Sequence, residues 1–205
     1  MAAVVSTAAA KFVFMDWLNW RFAFAASAIV TWSIYIIYRY RNRPEILAYW
    51  GFRTDNFASV ARNILPVGVL SVISFFVIGF YQHTINITWH IIPILILYPI
   101  WGMIQQFLLI ALIVGNLKDL TGMRLNKWAI VLFSAILFSC VHYPFVWLMT
   151  GTFFLAVFYG LIYLRVKNIY ALGLFHGWLG GIFYYTVMGR DPFVEMFHRI
   201  FHVSN

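Results

Sequence analysis

The sequence predicts an all-α, polytopic transmembrane bundle of about six spans, preceded by a short interfacial helix. Of its 205 residues, 63% are hydrophobic and only 10% are charged, against about 25% charged in an ordinary soluble domain. Charges are also absent from long stretches. Between Arg62 and Lys118 the only His, Lys, Arg, Asp or Glu residues are His83 and His90, between Lys127 and Arg165 only His142, and between Lys167 and Arg190 only His176. A water-soluble chain of this size has too little interior to hide so much apolar surface, so the bilayer is its solvent.

Taken in order, residues 11–21 (KFVFMDWLNWR) set aromatic and aliphatic side chains among Lys11, Asp16 and Arg21, the pattern of a helix lying in the interface. The preceding MAAVVSTAAAK has no basic region before an apolar stretch, so no cleaved signal peptide is expected. Spans are expected at roughly 22–38, 63–80, 91–115, 128–143, 146–164 and 169–188. The link 39–62 contains Pro44 and Gly51 and is not one continuous helix, and Pro144 breaks the chain just after the fourth span. Three regions result: 1–90 with the interfacial helix and two spans, a membrane core at 91–188, and an amphipathic tail at 189–205.

The net charge of +8 reads as topology in a membrane chain rather than as a nucleic-acid surface. With alternating spans, one side collects Arg39, Arg41, Arg43, Arg53, Arg62, Lys118, Arg124, Lys127, Arg165 and Lys167. The other has only Lys11, Arg21, Arg190 and Arg199. The positive-inside rule then predicts both termini on the non-cytoplasmic side, in an arrangement that suits a bacterial inner membrane. The single cysteine, Cys140, excludes a disulfide framework and reads as a small core residue.

Polar groups are costly in hydrocarbon, so those within spans are the candidates for a site. They are Gln105 and Gln106 in the third span, His142 at the end of the fourth and His176 in the sixth. Tyr98, Trp101 and Gln105 share one helical face, as do Ser134, Phe138 and His142, while Gly173, His176, Gly177 and Gly180 cluster on the last span. Singly, each reads as an interhelical hydrogen bond; as a set on three helices, they predict one shared pocket. Gly173, Gly177 and Gly181 form a stripe that permits close contact, either within the bundle or between chains. His83 and His90 read as solvated or interfacial link residues, and His198 with His202 as part of an amphipathic tail helix rather than a metal pair.

The chain resembles the CAAX-processing and bacteriocin-processing (CPBP) family of intramembrane proteases. QQFLLI at Gln105–Ile110 stands where that family shows EExxxR, FSCVH at Phe138–His142 matches FxxxH, and HGWLG at His176–Gly180 stands for HxxxN or HxxxD. GLIYLRVKN, from Gly160 to Asn168, is similar to the stretch before the last motif, and the likeness covers roughly residues 91–185. The resemblance implies an endopeptidase site at Gln105, Gln106, His142 and His176, in which a glutamate activates water. Glutamine occupies both glutamate positions here, Ile110 replaces the arginine, and Gly180 replaces the last polar residue. An amide has no useful basicity, and none of the six carboxylates lies within an expected span.

Three readings follow. One is a degenerate family member that binds a membrane peptide, lipid or partner protein in its polar pocket. Another is an active endopeptidase with His142 or His176 as base and the glutamines holding water or an oxyanion. The third is a haem- or pigment-binding subunit ligated by His142 and His176. Zinc held by those two histidines would lack the usual third protein ligand.

Overall fold

The computed structural model describes residues 2–120 and 125–201. Every regular element among them is helical. The order is α1 (Ala2–Lys11), a π-helical turn (Phe12–Trp17), α2 (Arg21–Asn42), α3 (Ile46–Trp50), α4 (Phe57–Gln82), and α5, which runs through a π-helical stretch (Phe107–Val114) from Ile91 to Lys118. It continues with α6 (Lys127–Cys140), α7 (Val146–Arg165), α8 (Ile169–Thr186) and α9 (Pro192–Phe201).

Four helices, α2, α4, α5 and α7, are long and apolar enough to cross a membrane. Of the other two expected spans, α6 has 14 residues. The second, α8, has 18, but its glycines and His176 dilute its apolar character. The outward faces are apolar as well: Leu70, Ile73, Phe80, Ile92, Ile96 and Phe154 are all exposed. A continuous apolar exterior of this kind is a lipid-facing one.

The N-terminal segment differs from the expected helix over 11–21. Helix α1 starts earlier, at Ala2, the π-helical turn follows, and the chain breaks at Leu18–Trp20 before α2 begins at Arg21. Asn19, with φ +55°, makes that break. Val4 is buried against the core, and Trp32 Nε1 donates to Thr7 Oγ1 at 3.3 Å. The 39–62 link breaks where Pro44 and Gly51 predict. Gly51 closes α3 with φ +91°, a left-handed conformation that any side chain would strain.

The helices alternate in direction, which gathers their ends into two groups. At one end, Ile169 N donates to Gly51 O at 2.7 Å, Asn168 Nδ2 to Arg53 O at 2.7 Å and Tyr163 Oη to Trp50 O at 3.0 Å. Tyr49 donates to Asp119 at the same end, and this bond, with burial second, pushes its phenol up to about 12. At the other end, Arg21 and Arg190 both pair with Glu195, and Asp191 Oδ2 lies 2.7 Å from His90 Nδ1. His90 is thus a partly buried anchor at the end of this link, stacked on Phe193. Cys140 is also placed otherwise than expected, since it is exposed at the end of α6.

The close pair at the centre of the bundle is α5 with α8, and glycine permits it. A Cβ on Gly177 would meet the Pro99 backbone at 2.4 Å, and one on Gly173 would meet Met103 Cα at 2.5 Å. The glycine stripe thus packs inside the bundle, against α5. Gly102 faces it, with a built Cβ only 2.5 Å from Gly173 O. Backbone contact at this level draws the following turn of α5, which carries Gln105 and Gln106, onto His176.

Candidate functional site: an imidazole held between two amides

His176 lies between the two glutamines. Its Nε2 is 2.9 Å from Gln105 Oε1, and its Nδ1 is 3.2 Å from Gln106 Nε2. The arrangement matches one neutral tautomer: Nε2–H donates to the Gln105 carbonyl oxygen, and the Gln106 amide donates to Nδ1. Adjacent residues on an α-helix point about 100° apart, so the two side chains reach the ring from different directions. The π-helical stretch begins at Phe107, immediately after the pair, and all of Phe107–Val114 is buried. Irregular turns of this kind recur beside functional sites.

The third motif residue arrives by a turn rather than a helix. α6 ends at Cys140, and His142 sits in the turn before Pro144, which has a cis peptide bond to Tyr143. His142 Nδ1–H donates to Phe138 O at 2.7 Å, which leaves Nε2 without a partner among the described residues. Phe138 also packs its ring 5.6 Å from that of His176.

Gln105, His142 and His176 line one cavity of about 150 Å³, together with Tyr98, Trp101 and Gly180. Gln106 is fully buried beside it, and its Oε1 has no hydrogen-bond partner among the described residues. The fold therefore brings together the four polar residues that the sequence singles out within spans. The sequence also names Gly180 as a departure, and here a Cβ would meet nothing within 4 Å. The space that a longer side chain would fill is open.

Two apolar cavities adjoin this polar one. One, of about 180 Å³, shares Gln105, Trp101, Val141 and Lys11 with it and reaches α1. The other, of about 260 Å³, shares His176, Gly180, Leu148 and Thr152 and lies between α4, α7 and α8. Sequence reasoning missed the contribution of the N-terminal segment. Lys11, Met15 and Asp16 line the polar cavity, so one carboxylate does reach the site from outside the spans. The signal available is the placement of Lys11 and Asp16 inside an aromatic run, a pattern that reads as interfacial.

The donor set does not suit a zinc ion. Both ring nitrogens of His176 are engaged by amides, and among the described residues no three His, Cys, Asp or Glu side chains come together. Ser134, on the His142 face of α6, spends its hydroxyl on Ile130 O at 2.9 Å. His198 is 3.3 Å from Asn19 Nδ2, and His202 and Arg124 lie outside the described residues.

Fold and site together define an all-helical integral membrane protein with a buried amide–imidazole cluster. Residues 87–182, which contain that cluster entire, match the family model for type II CAAX prenyl endopeptidase Rce1-like proteins. This agrees with the CPBP resemblance, and the likeness lies in the membrane core of the chain. No curated protein and no solved structure matches the chain.

Proposed function

We propose that the protein is a non-cleaving relative of the CAAX prenyl endopeptidases, one whose intramembrane pocket binds a prenylated membrane peptide and leaves it intact. The observation that carries this reading is the occupation of both His176 nitrogens by Gln105 and Gln106. With one proton given and one accepted, the ring has no lone pair left to take a proton from water, and the amides cannot do so either. The three adjoining cavities favour a ligand with a polar centre and two apolar limbs. A prenyl chain flanking a peptide amide has that form. The lipid bilayer is the second partner, and the charge bias supports an inner-membrane chain with both termini non-cytoplasmic.

The test uses the purified chain in lipid nanodiscs with a fluorescent prenylated peptide. Saturable binding is expected, weakened about tenfold by His142→Ala or Gln105→Ala, the loss of one well-placed polar contact. Binding that ignores both substitutions contradicts the reading.

A second reading, slow hydrolysis, is favoured by one observation. His142 is oriented by Phe138 O and keeps Nε2 free, the arrangement of a general base. In that case His142 Nε2 would take the water proton, and the Gln105 amide would steady the oxyanion. Cleavage that disappears in His142→Ala would establish it.

A further inference from the structure

One wall of the polar cavity comes from outside the bundle, and it carries a cation at a particular junction. Lys11 lines the polar cavity with Asp16, Gln105 and His142, and it also lines the neighbouring apolar cavity of about 180 Å³. It is the one charged residue of that apolar cavity among the described residues. Lys11 Nζ lies 2.6 Å from Asp16 Oδ2, and the two side chains are 19% and 31% exposed. Neither makes another hydrogen bond among the described residues, and the ammonium also lies 4.7 Å from the centre of the Phe12 ring.

The other cation of the polar cavity is already spent. Arg21 donates to Asn19 Oδ1 at 3.1 Å and to Glu195, which Arg190 also binds. The Lys11–Asp16 bridge, by contrast, is local, between the last residue of α1 and a residue of the π-helical turn five positions on. A lysine laid along apolar surface with its ammonium at a polar boundary is suited to an amphiphile, because stem and head group meet different parts of it.

We propose that Lys11 is the head-group residue for a ligand that carries a carboxylate on a hydrocarbon chain. The chain lies in the apolar cavity beside Gln105 and Phe138, and the carboxylate displaces Asp16 from the ammonium. Asp16 holds Lys11 in place until then. Two sources supply this chemistry: a long-chain fatty acid, or the free C-terminal carboxylate of a lipidated peptide. The proposal deepens the pocket reading above and rests on the pocket being a binding site.

The experiment uses the full chain in nanodiscs with dansylated undecanoic acid and its methyl ester, and with a prenylated peptide whose C-terminus is free or amidated. The acid is expected to bind about tenfold more tightly than the ester. Lys11→Gln should erase that preference, Lys11→Arg should keep it, and Asp16→Asn should strengthen acid binding by removing the competitor. Equal binding of acid and ester, or a preference that survives Lys11→Gln, overturns the proposal. A Lys11-dependent preference for the free peptide terminus assigns the peptide as source, and one confined to the fatty acid assigns the lipid. If the peptides fail to bind while the acid preference follows Lys11, the prenyl-peptide reading falls and this one stands. If both peptides bind alike and the acid shows no preference, the outcome is reversed.

Discussion

His176 donates its Nε2–H to Gln105 Oε1 across 2.9 Å, and this bond fixes what His176 can do. A carboxylate at the same place would draw the imidazole toward a second proton and hold a negative charge ready for water. The amide does neither. It settles the ring in one neutral tautomer, which the Gln106 amide completes from the other side.

The neutral tautomer makes the Gln106 position intolerant of charge. The side chain is fully buried, and a carboxylate there would face Nδ1 with no proton between them. Gln106→Glu is expected to destabilise the fold by about 2 kcal/mol or more. Gln105, on the cavity wall, should accept the same change with a smaller loss. Thermal unfolding of the two single variants in detergent checks the order.

Helix contact gives a contrast within one helix, α8. Gly177→Ala places a methyl 2.4 Å from Pro99 N and should cost about 1–3 kcal/mol through overpacking. Gly180→Ala enters open space and should change stability by no more than about 0.5 kcal/mol. Unfolding curves that rank the two the other way contradict the close α5–α8 packing.

Gly180→Asn should likewise be accommodated, and it restores a polar group where the family motif has one. Together with Gln105→Glu and Gln106→Glu it restores the motif apart from the arginine that Ile110 replaces. On the non-cleaving reading, the triple variant is expected to gain peptide cleavage over the natural chain, measured as product by mass spectrometry. No gain in a folded triple variant would mean that the arginine replaced by Ile110 is also required.

Asp191 ties the connection after α4 to α9. It accepts from His90 and Thr88 at 2.7 Å each and from Phe193 N at 3.0 Å. Burial pushes its carboxyl up, but the hydrogen bonds from His90 and Thr88 outweigh this, and the acid is held below its ordinary value. A lowered folded value contributes stability that is present above the unfolded carboxylate range and is lost as pH falls through the folded one. Asp191→Asn should lower stability at neutral pH by about 1 kcal/mol, largely by weakening the N-terminal cap of α9. The gap from the natural chain should close under strongly acidic conditions, as pH-dependent unfolding would reveal.

Much of this architecture is legible in the sequence, because hydrocarbon punishes charge and the spans declare themselves by its absence. The meeting of Gln105, Gln106, His142 and His176 is legible for the same reason: few polar groups are tolerated there, and those present must find one another. Two things are hidden. Periodicity in a short amphipathic run gives an apolar face without saying what covers it, so Lys11 and Asp16 read as interfacial when they wall the site. The helix α8 is the inverse case: its glycines and histidine, which make it the central packing partner of α5, lower the hydropathy that marks a span.

The most direct test of the central claim follows one prenylated peptide through both binding and chemistry. The natural chain in nanodiscs is saturated with the peptide, and the bound material is recovered and weighed by mass spectrometry after prolonged incubation. The account predicts peptide that is bound in a Gln105- and His142-dependent manner and recovered intact. Recovery of the cleaved peptide, with cleavage lost in His142→Ala, would contradict it and identify the chain as a working endopeptidase.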